Sequence, residues 1–401
     1  MAPTPHRNAP AVDGLVGGLL AVVAEQLGRP LPARLEQAFH RVHRHRFLPG
    51  RIWLRDGSGG YQLVDRAADP DRWMTAAYSD EPLVTQFTNG LPSSSASMPS
   101  MVARMLLLAG LGERPPPPGR EVAGPRVLEL GAGTGFNAGL LCALLGDRQV
   151  TTVELDPVLA AGAEENLKAA GYTPRVVVGD AADGRTPGGP YDVVLATFSV
   201  DHIPLTWLTQ ARSGARIVTP WTSQWCRYGT LALTAGLQGH AEGRFHAFAS
   251  FMQMTGAQAA GLGPAPVPFP PAGGKGTPER SSTAVSPWAV AGGDLDAEFH
   301  IGLAVPGASF AWDTSAEHAH TRLEITDSTT SSWATVDYDG RTSATFTVAQ
   351  AGPRRLWDEI TAAHRQWEQL GRPGIGRYGL SSAELATTVW VDSPANPVAV
   401  R

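Results

Sequence analysis

Apolar positions along this chain change their period in a regular order. Short runs at Val127–Leu130, Val150–Leu155, Arg175–Val178, Tyr191–Thr197 and Ala215–Pro220 read as strands buried on both faces. Between them, Phe136–Gly146 and Pro157–Ala170 have helical composition, and each run is closed by a glycine, Gly146 or Gly171. Strand and helix in alternation predict βαβ units and a parallel sheet. Upstream, Asp13–Leu27 and Pro32–Arg46 read as helices split by Gly28-Arg29-Pro30. Ile52–Asp65 alternates like a small hairpin, and Pro99–Leu111 reads as a helix. Residues 1–12 are expected to be a disordered start, and the proline run within Arg114–Gly119 an extended linker.

Beyond the parallel sheet, Tyr228–Leu233 and Ala247–Met254 read as edge strands. Residues 256–287 are rich in Gly, Pro and Ser and read as a linker. The remainder, 288–401, is expected to be a separate α+β domain. Its strands fall near Phe299–Leu303, Leu323–Thr326, Trp333–Val336, Thr342–Val348 and Thr387–Val391. In its helix, Arg354–Leu370, the residues Leu356, Trp357, Ile360, Ala363, His364, Trp367 and Leu370 share one face. A chain of 401 residues suits such a division, with a catalytic part at 1–255.

The chemistry concentrates where the first of the buried strands ends. Val127-Leu128-Glu129-Leu130 runs directly into Gly131-Ala132-Gly133-Thr134-Gly135, and about twenty residues later a second strand ends in Glu154-Leu155-Asp156. Glycines let backbone approach a ligand, and a carboxylate at the second strand's end can accept both hydroxyls of a ribose. Glu129 lies two residues before the first glycine. It would repel a pyrophosphate, so the loop suits a cationic ligand without phosphates, such as S-adenosylmethionine.

Composition narrows the setting. The net charge of −5 gives no broad basic surface for nucleic acid. Two cysteines, Cys142 and Cys226, exclude a disulfide scaffold and point to a reducing cytoplasm. No apolar run has transmembrane length. His40, His43 and His45, interleaved with Arg41, Arg44 and Arg46, do not share one helical face. They are read as a solvated helix end rather than a metal site.

Several motifs in order then resemble one family. The glycine loop resembles the first motif of class I methyltransferases. Ala77-Tyr78-Ser79-Asp80-Glu81-Pro82-Leu83, followed by Ser93-Ser94-Ser95-Ala96-Ser97-Met98-Pro99-Ser100-Met101-Val102-Ala103, resembles the A-Y-x-D-x-P-L and T-x-S-x-P-x-M-V-A blocks of protein L-isoaspartate O-methyltransferases. Val42–Pro49, Tyr191–Pro204 and Leu208–Pro220 continue the likeness, over roughly residues 12–255. The resemblance implies a Rossmann-like α/β sheet with helices on both faces and an N-terminal helical cap, with S-adenosylmethionine as cofactor.

It also implies roles for individual residues. Glu129, Gly131, Ala132, Gly133, Thr134, Gly135, Asn137, Glu154, Leu155, Gly179, Asp180 and Ala181 would hold the cofactor. Ser97 falls on the family's active-site serine and Ser95 on the threonine two before it. Tyr78, Asp80, Ser93, Ser94, Thr197 and His202 would line the acceptor cleft.

Two departures stand out. The family's Gly-x-Gly-Gln segment is replaced by Thr85–Pro92, and the tail after residue 255 is long. Both resemble homologues associated with ribosomally made, modified peptides of the lanthipeptide, graspetide and lasso types. That likeness implies esterification of an ordinary aspartate in a precursor peptide, leading through succinimide to isoaspartate. The alternatives are a general repair enzyme for isoaspartyl proteins and a peptide-binding scaffold without activity. Because the acceptor carboxylate is already ionised at neutral pH, no general base is expected.

Overall fold

The computed structural model describes residues 9–57, 59–113, 124–183, 186–237, 239–247, 277–315, 321–340, 344–383 and 386–400. The chain divides into two compact units. One comprises Met1–Phe198, Pro204–Thr219 and Thr234–Leu237, the other Ser199–Ile203, Pro220–Leu233 and Gln238–Arg401.

The first unit opens with helices α1 (Ala9–Leu27) and α2 (Ala33–Arg41). Then come strands β1 (Arg51–Arg55) and β2 (Tyr61–Asp65), helix α3 (Pro70–Ala77), strands β3 (Leu83–Thr88) and β4 (Leu91–Ala96), and helix α4 (Pro99–Leu108). The four strands form an antiparallel sheet in the order β2-β1-β3-β4. Alternating elements follow: β5 (Val127–Leu130), α5 (Phe136–Leu145), β6 (Val150–Glu154), α6 (Pro157–Ala169), β7 (Arg175–Val178), β8 (Tyr191–Ala196), α7 (Leu205–Gln210) and β9 (Ala211–Pro220). These five strands are parallel, in the order β7-β6-β5-β8-β9. This is the expected Rossmann-like α/β sheet. The chain leaves β5 toward β6 on one side, and β8 pairs with its other side. The loop after β5 therefore sits at the topological switch point, where such sheets bind ligands.

Local chemistry explains the element ends. Asp156 caps α6, accepting from the N–H groups of Val158 and Leu159, and Pro157 supplies a preset φ at the first helical position. The expected helix over Pro32–Arg46 stops at Arg41 and gives way to a 3-10 turn at Arg44–Phe47. Phe39 and Phe47 both pack edge-on against Phe136 of α5. The approach is tight: a Cβ on Gly139 would sit 3.0 Å from the Phe47 ring.

The second unit contains β10 (Thr230–Ala235), most of which it shares with no other unit, and β11 (Ala241–His246). Further on are β12 (Glu279–Thr283), α8 (Pro287–Ala291), α9 (Leu295–Ala304), β13 (Ala308–Asp313), β14 (Thr321–Asp327), β15 (Trp333–Tyr338), β16 (Phe346–Ala351) and α10 (Leu356–Gln369). The last elements are β17 (Tyr378–Ala383), β18 (Ala386–Val391) and β19 (Pro397–Val400). β11, β17, β18 and β19 pair in antiparallel succession. A separate antiparallel sheet runs β12-β16-β15-β14-β13, and α10 buries Leu356, Trp357 and Ile360 in one core with Leu323, Ile325, Val336 and Val348.

Several expectations are corrected. Phe299–Leu303, read as a strand, lies within helix α9, which Asp294 caps. Phe299, His300, Ile301 and Leu303 are all buried, so alternation carried no information there. Strand β12 occupies part of the expected linker. The start of α1 at Ala9 shortens the expected disordered segment. Arg114–Gly119, residues 256–276 and most of Ala247–Met254 lie outside the described residues.

Candidate functional site

Each of the three loop glycines has a positive φ, but for different reasons. A Cβ on Gly131 (φ 90°) would lie 2.6 Å from Thr197 Oγ1, and one on Gly135 (φ 87°) 3.1 Å from the Ala163 carbonyl. Packing within the protein excludes a side chain at both. Gly133 (φ 54°) differs: the nearest atoms to its Cβ would be the Ser95 carbonyl at 3.8 Å and Ser94 Oγ at 3.9 Å. The middle of the loop thus lies beside the β4 serines, where a Cβ would make only ordinary contacts. The Gly131 and Ala132 N–H groups donate to the Val153 carbonyl, and Thr197 Oγ1 donates to the Gly131 carbonyl at 2.7 Å. Asn166 fixes the Thr134 carbonyl from α6.

Two carboxylates flank this loop. Glu154 Oε2 accepts from Gly133 N at 2.8 Å, and Oε1 accepts from the N–H groups of Leu155 and Asp156. A carboxylate offers about four acceptor sites, so one remains after these three bonds. Glu129 is fully buried on β5. Asn137 donates to its Oε1 at 2.7 Å, while Oε2 has no hydrogen-bond partner among the described residues. Burial pushes its carboxyl up to about 7; Thr152 and Asn137 oppose the shift and the Glu154 charge adds to it. A buried acid with an open oxygen fits a ligand's ammonium group. At the end of β7, Gly179 N donates to the Glu154 carbonyl, and Asp180 Oδ1 accepts from Ala182 N. The Ala181 carbonyl takes the Trp207 indole N–H. Leu155 is exposed.

The first part of the serine block, Ser93–Ala96, lies in strand β4, and Ser97 follows its end. In the β3–β4 hairpin, Ser93 Oγ donates to Gln86 Oε1 and accepts from Thr88, while Ser94 Oγ accepts from Thr85. The hydroxyls of Ser95 and Ser97 have no hydrogen-bond partner among the described residues. Gln86 Nε2 also donates to Asp156 Oδ2 at 3.1 Å, which ties the hairpin to the end of β6. That bond, with the Val158 and Leu159 N–H groups, holds the Asp156 carboxyl below its usual range.

Other expected acceptor residues take different places. Asp80 Oδ1 accepts from Ser100 N at 2.7 Å, holding the first turn of α4. Tyr78 is buried, its hydroxyl hydrogen bonded to His45 Nδ1 at 2.6 Å. Burial pushes the Tyr78 hydroxyl up and the His45 imidazole down to about 4. His202 belongs to the second unit, where it pairs with Asp201.

Sequence reasoning missed Arg44. It is 1% exposed, not part of a solvated helix end, and donates to five backbone carbonyls around the serine turn. The available signal was its flank of Val42, Phe47 and Leu48, all of them buried.

The family model for protein-L-isoaspartate(D-aspartate) O-methyltransferase matches residues 61–230. A protein-L-isoaspartate O-methyltransferase of Methanopyrus kandleri is 34% identical over 199 residues, which cover 49% of this chain and 72% of that protein. The chain belongs to the protein-L-isoaspartate O-methyltransferase family. The family's relative from Archaeoglobus fulgidus, protein-L-isoaspartate O-methyltransferase 1, is 39% identical over 38% of this chain and 64% of its own length. That from Thermotoga maritima is 33% identical over 37% of this chain, and the match spans 44% of its length. A solved structure of a protein-L-isoaspartate O-methyltransferase shares the fold, with TM-score 0.53 and 19% identity, over 94% of this chain and all of its own. The fold likeness thus extends past the family segment.

Proposed function

We propose that this protein is an S-adenosylmethionine-dependent carboxyl O-methyltransferase that esterifies the free carboxylate of isoaspartyl residues in proteins or peptides. The observation that carries the reading is the pair of open hydroxyls, Ser95 near the end of β4 and Ser97 just beyond it, on a segment whose Ser95 carbonyl and Ser94 hydroxyl lie beside Gly133. Bound S-adenosylmethionine would supply an electrophilic methyl carbon on a sulfonium. Glu129 would hold the cofactor's amino group, Glu154 its ribose, and the residues 179–181 its adenine. Ser95 and Ser97 would orient the acceptor so that a carboxylate oxygen lies in line with the methyl carbon and sulfur, which is catalysis by alignment. The new C–O bond forms as the C–S bond breaks, and its electrons remain on sulfur. An acceptor ionised at neutral pH gives up no proton, so the transfer requires no general base.

A second reading is kept for one reason. The β3–β4 hairpin, with its engaged Gln86, Ser93 and Ser94, stands where the family has Gly-x-Gly-Gln. It would reshape the cleft for an ordinary aspartate in a modified precursor peptide, giving succinimide and then isoaspartate. In either case residues 288–401 would help to hold a peptide, by adding a strand at β13, an edge of its sheet. The long tail does not separate the readings, because the fold likeness to the solved family member runs over 94% of this chain. A cytoplasmic setting agrees with the two free, buried thiols. No helix among the described residues is long and apolar enough to cross a membrane.

The test pairs an isoaspartyl peptide with its aspartyl isomer under isotopically labelled cofactor. Label in a base-labile ester on the isoaspartyl peptide is expected. Preference for the aspartyl isomer would favour the second reading, and label on an amine would sink both.

A further inference from the structure

Every hydrogen bond of the Arg44 guanidinium goes to a backbone carbonyl. Nη1 donates to Ala77 at 3.3 Å and Ser79 at 3.0 Å, and Nη2 donates to Glu81 at 2.9 Å, Ala96 at 3.1 Å and Ser97 at 3.0 Å. These carbonyls neutralise no charge, and Nε has no partner among the described residues. A buried cation without a bonded carboxylate is costly to keep, so what it does to its acceptors matters.

Two of those acceptors are consecutive, and they flank the serine turn. The peptide bonds after Ala96 and Ser97 are trans, so each N–H points opposite to its own C=O. With both carbonyls drawn to Arg44, the N–H groups of Ser97 and Met98 face the other way. Neither N–H has a hydrogen-bond partner among the described residues, and both residues are partly exposed. Successive backbone N–H groups turned to one side form an anion-binding concavity. A charged donor on a carbonyl also polarises the N–H of the same peptide unit.

We propose that Arg44 is a positioning residue for the methyl acceptor: it sets and polarises the Ser97 and Met98 N–H groups as a receptor for a carboxylate. The site then selects an anionic acceptor over its neutral amide through a residue that never touches it. The inference rests on the carboxylate-acceptor reading above and names how that carboxylate is recognised.

The test uses the full chain with saturating S-adenosylhomocysteine. Calorimetry would compare an isoaspartyl peptide with the same peptide bearing a carboxamide in place of that carboxylate. Wild-type protein is expected to favour the carboxylate by at least about tenfold, the scale of a hydrogen bond to a charged group. Arg44→Met should lose that preference while binding the carboxamide peptide and S-adenosylhomocysteine as wild type does. Arg44→Lys keeps the charge without the fork and should fall between, which also covers a Met variant that fails to fold. Full carboxylate preference in either variant overturns the inference alone. So does an equal weakening of both peptides and the cofactor product, the mark of a merely structural arginine. Wild-type protein without any preference overturns the carboxylate-acceptor reading and the inference with it.

Discussion

At the scale of single residues, the site separates side chains that hold the fold from those left open. Ser97 carries an unused hydroxyl, so Ser97→Ala should leave thermal stability and S-adenosylhomocysteine affinity unchanged. Loss of a hydrogen bond to a carboxylate costs about 1.5–3 kcal/mol, so kcat/KM for the peptide should fall roughly ten- to a hundredfold. Steady-state methyl transfer would check it. Glu129 makes a pH prediction. Its folded value, about 7, lies above the ordinary 4.5. The protonated acid therefore favours the ligand-free fold, and this contribution fades as pH rises from about 4.5 through 7. A ligand ammonium needs the ionised form, so cofactor-product affinity should climb with pH across that window and level off above it. Glu129→Gln should flatten the profile; a wild-type profile already flat from acid to neutral pH would refute the assignment. These residues were legible because the glycines and acids are nearly consecutive in sequence. Arg44 was not, because its partners at 77–81 and 96–97 come together only in the folded chain.

At the scale of elements, the β3–β4 hairpin shows why a polar run misleads. Its burial follows no simple alternation, and bulges shift the register around Gln86, so no period of two marks it as a strand. Ser93 and Ser94 bond Thr85, Gln86 and Thr88 of the facing strand instead. The Gln86–Asp156 bond joins this hairpin to the cofactor side of the parallel sheet. Gln86→Ala should raise amide exchange across Leu83–Ala96 while costing about 0.5–1.5 kcal/mol of stability. Exchange that rises nowhere in the hairpin would show that the bond does not restrain it. The parallel strands were easier to read, since β5, β6 and β8 are short, largely buried runs and glycines close the helices between them. Helix α9 failed for the opposite reason: burial on all sides erases the helical stripe.

At the scale of the whole molecule, the expected boundary at residue 255 meets a chain that is interleaved. Ser199–Ile203 and Pro220–Leu233 belong to the second unit although they lie among residues of the first. Within that second unit, β11 pairs with β17 from Ala241↔Ser382 to Arg244↔Gly379, and the Trp225 indole donates to the Val290 carbonyl. A protein ending at residue 255 would expose the β11 edge and bare the Trp225 side chain. It should be recovered in the aggregated fraction, whereas a soluble, cooperatively melting fragment would contradict this account. The same pairing has a cost in time. Roughly 130 residues separate β11 from β17, so at about 5–20 residues per second the edge waits on the order of ten seconds on the ribosome for its partner strand. For that interval the nascent chain carries an unpaired strand edge that other copies could capture, which makes chaperone supply the condition under which this protein should be produced intact.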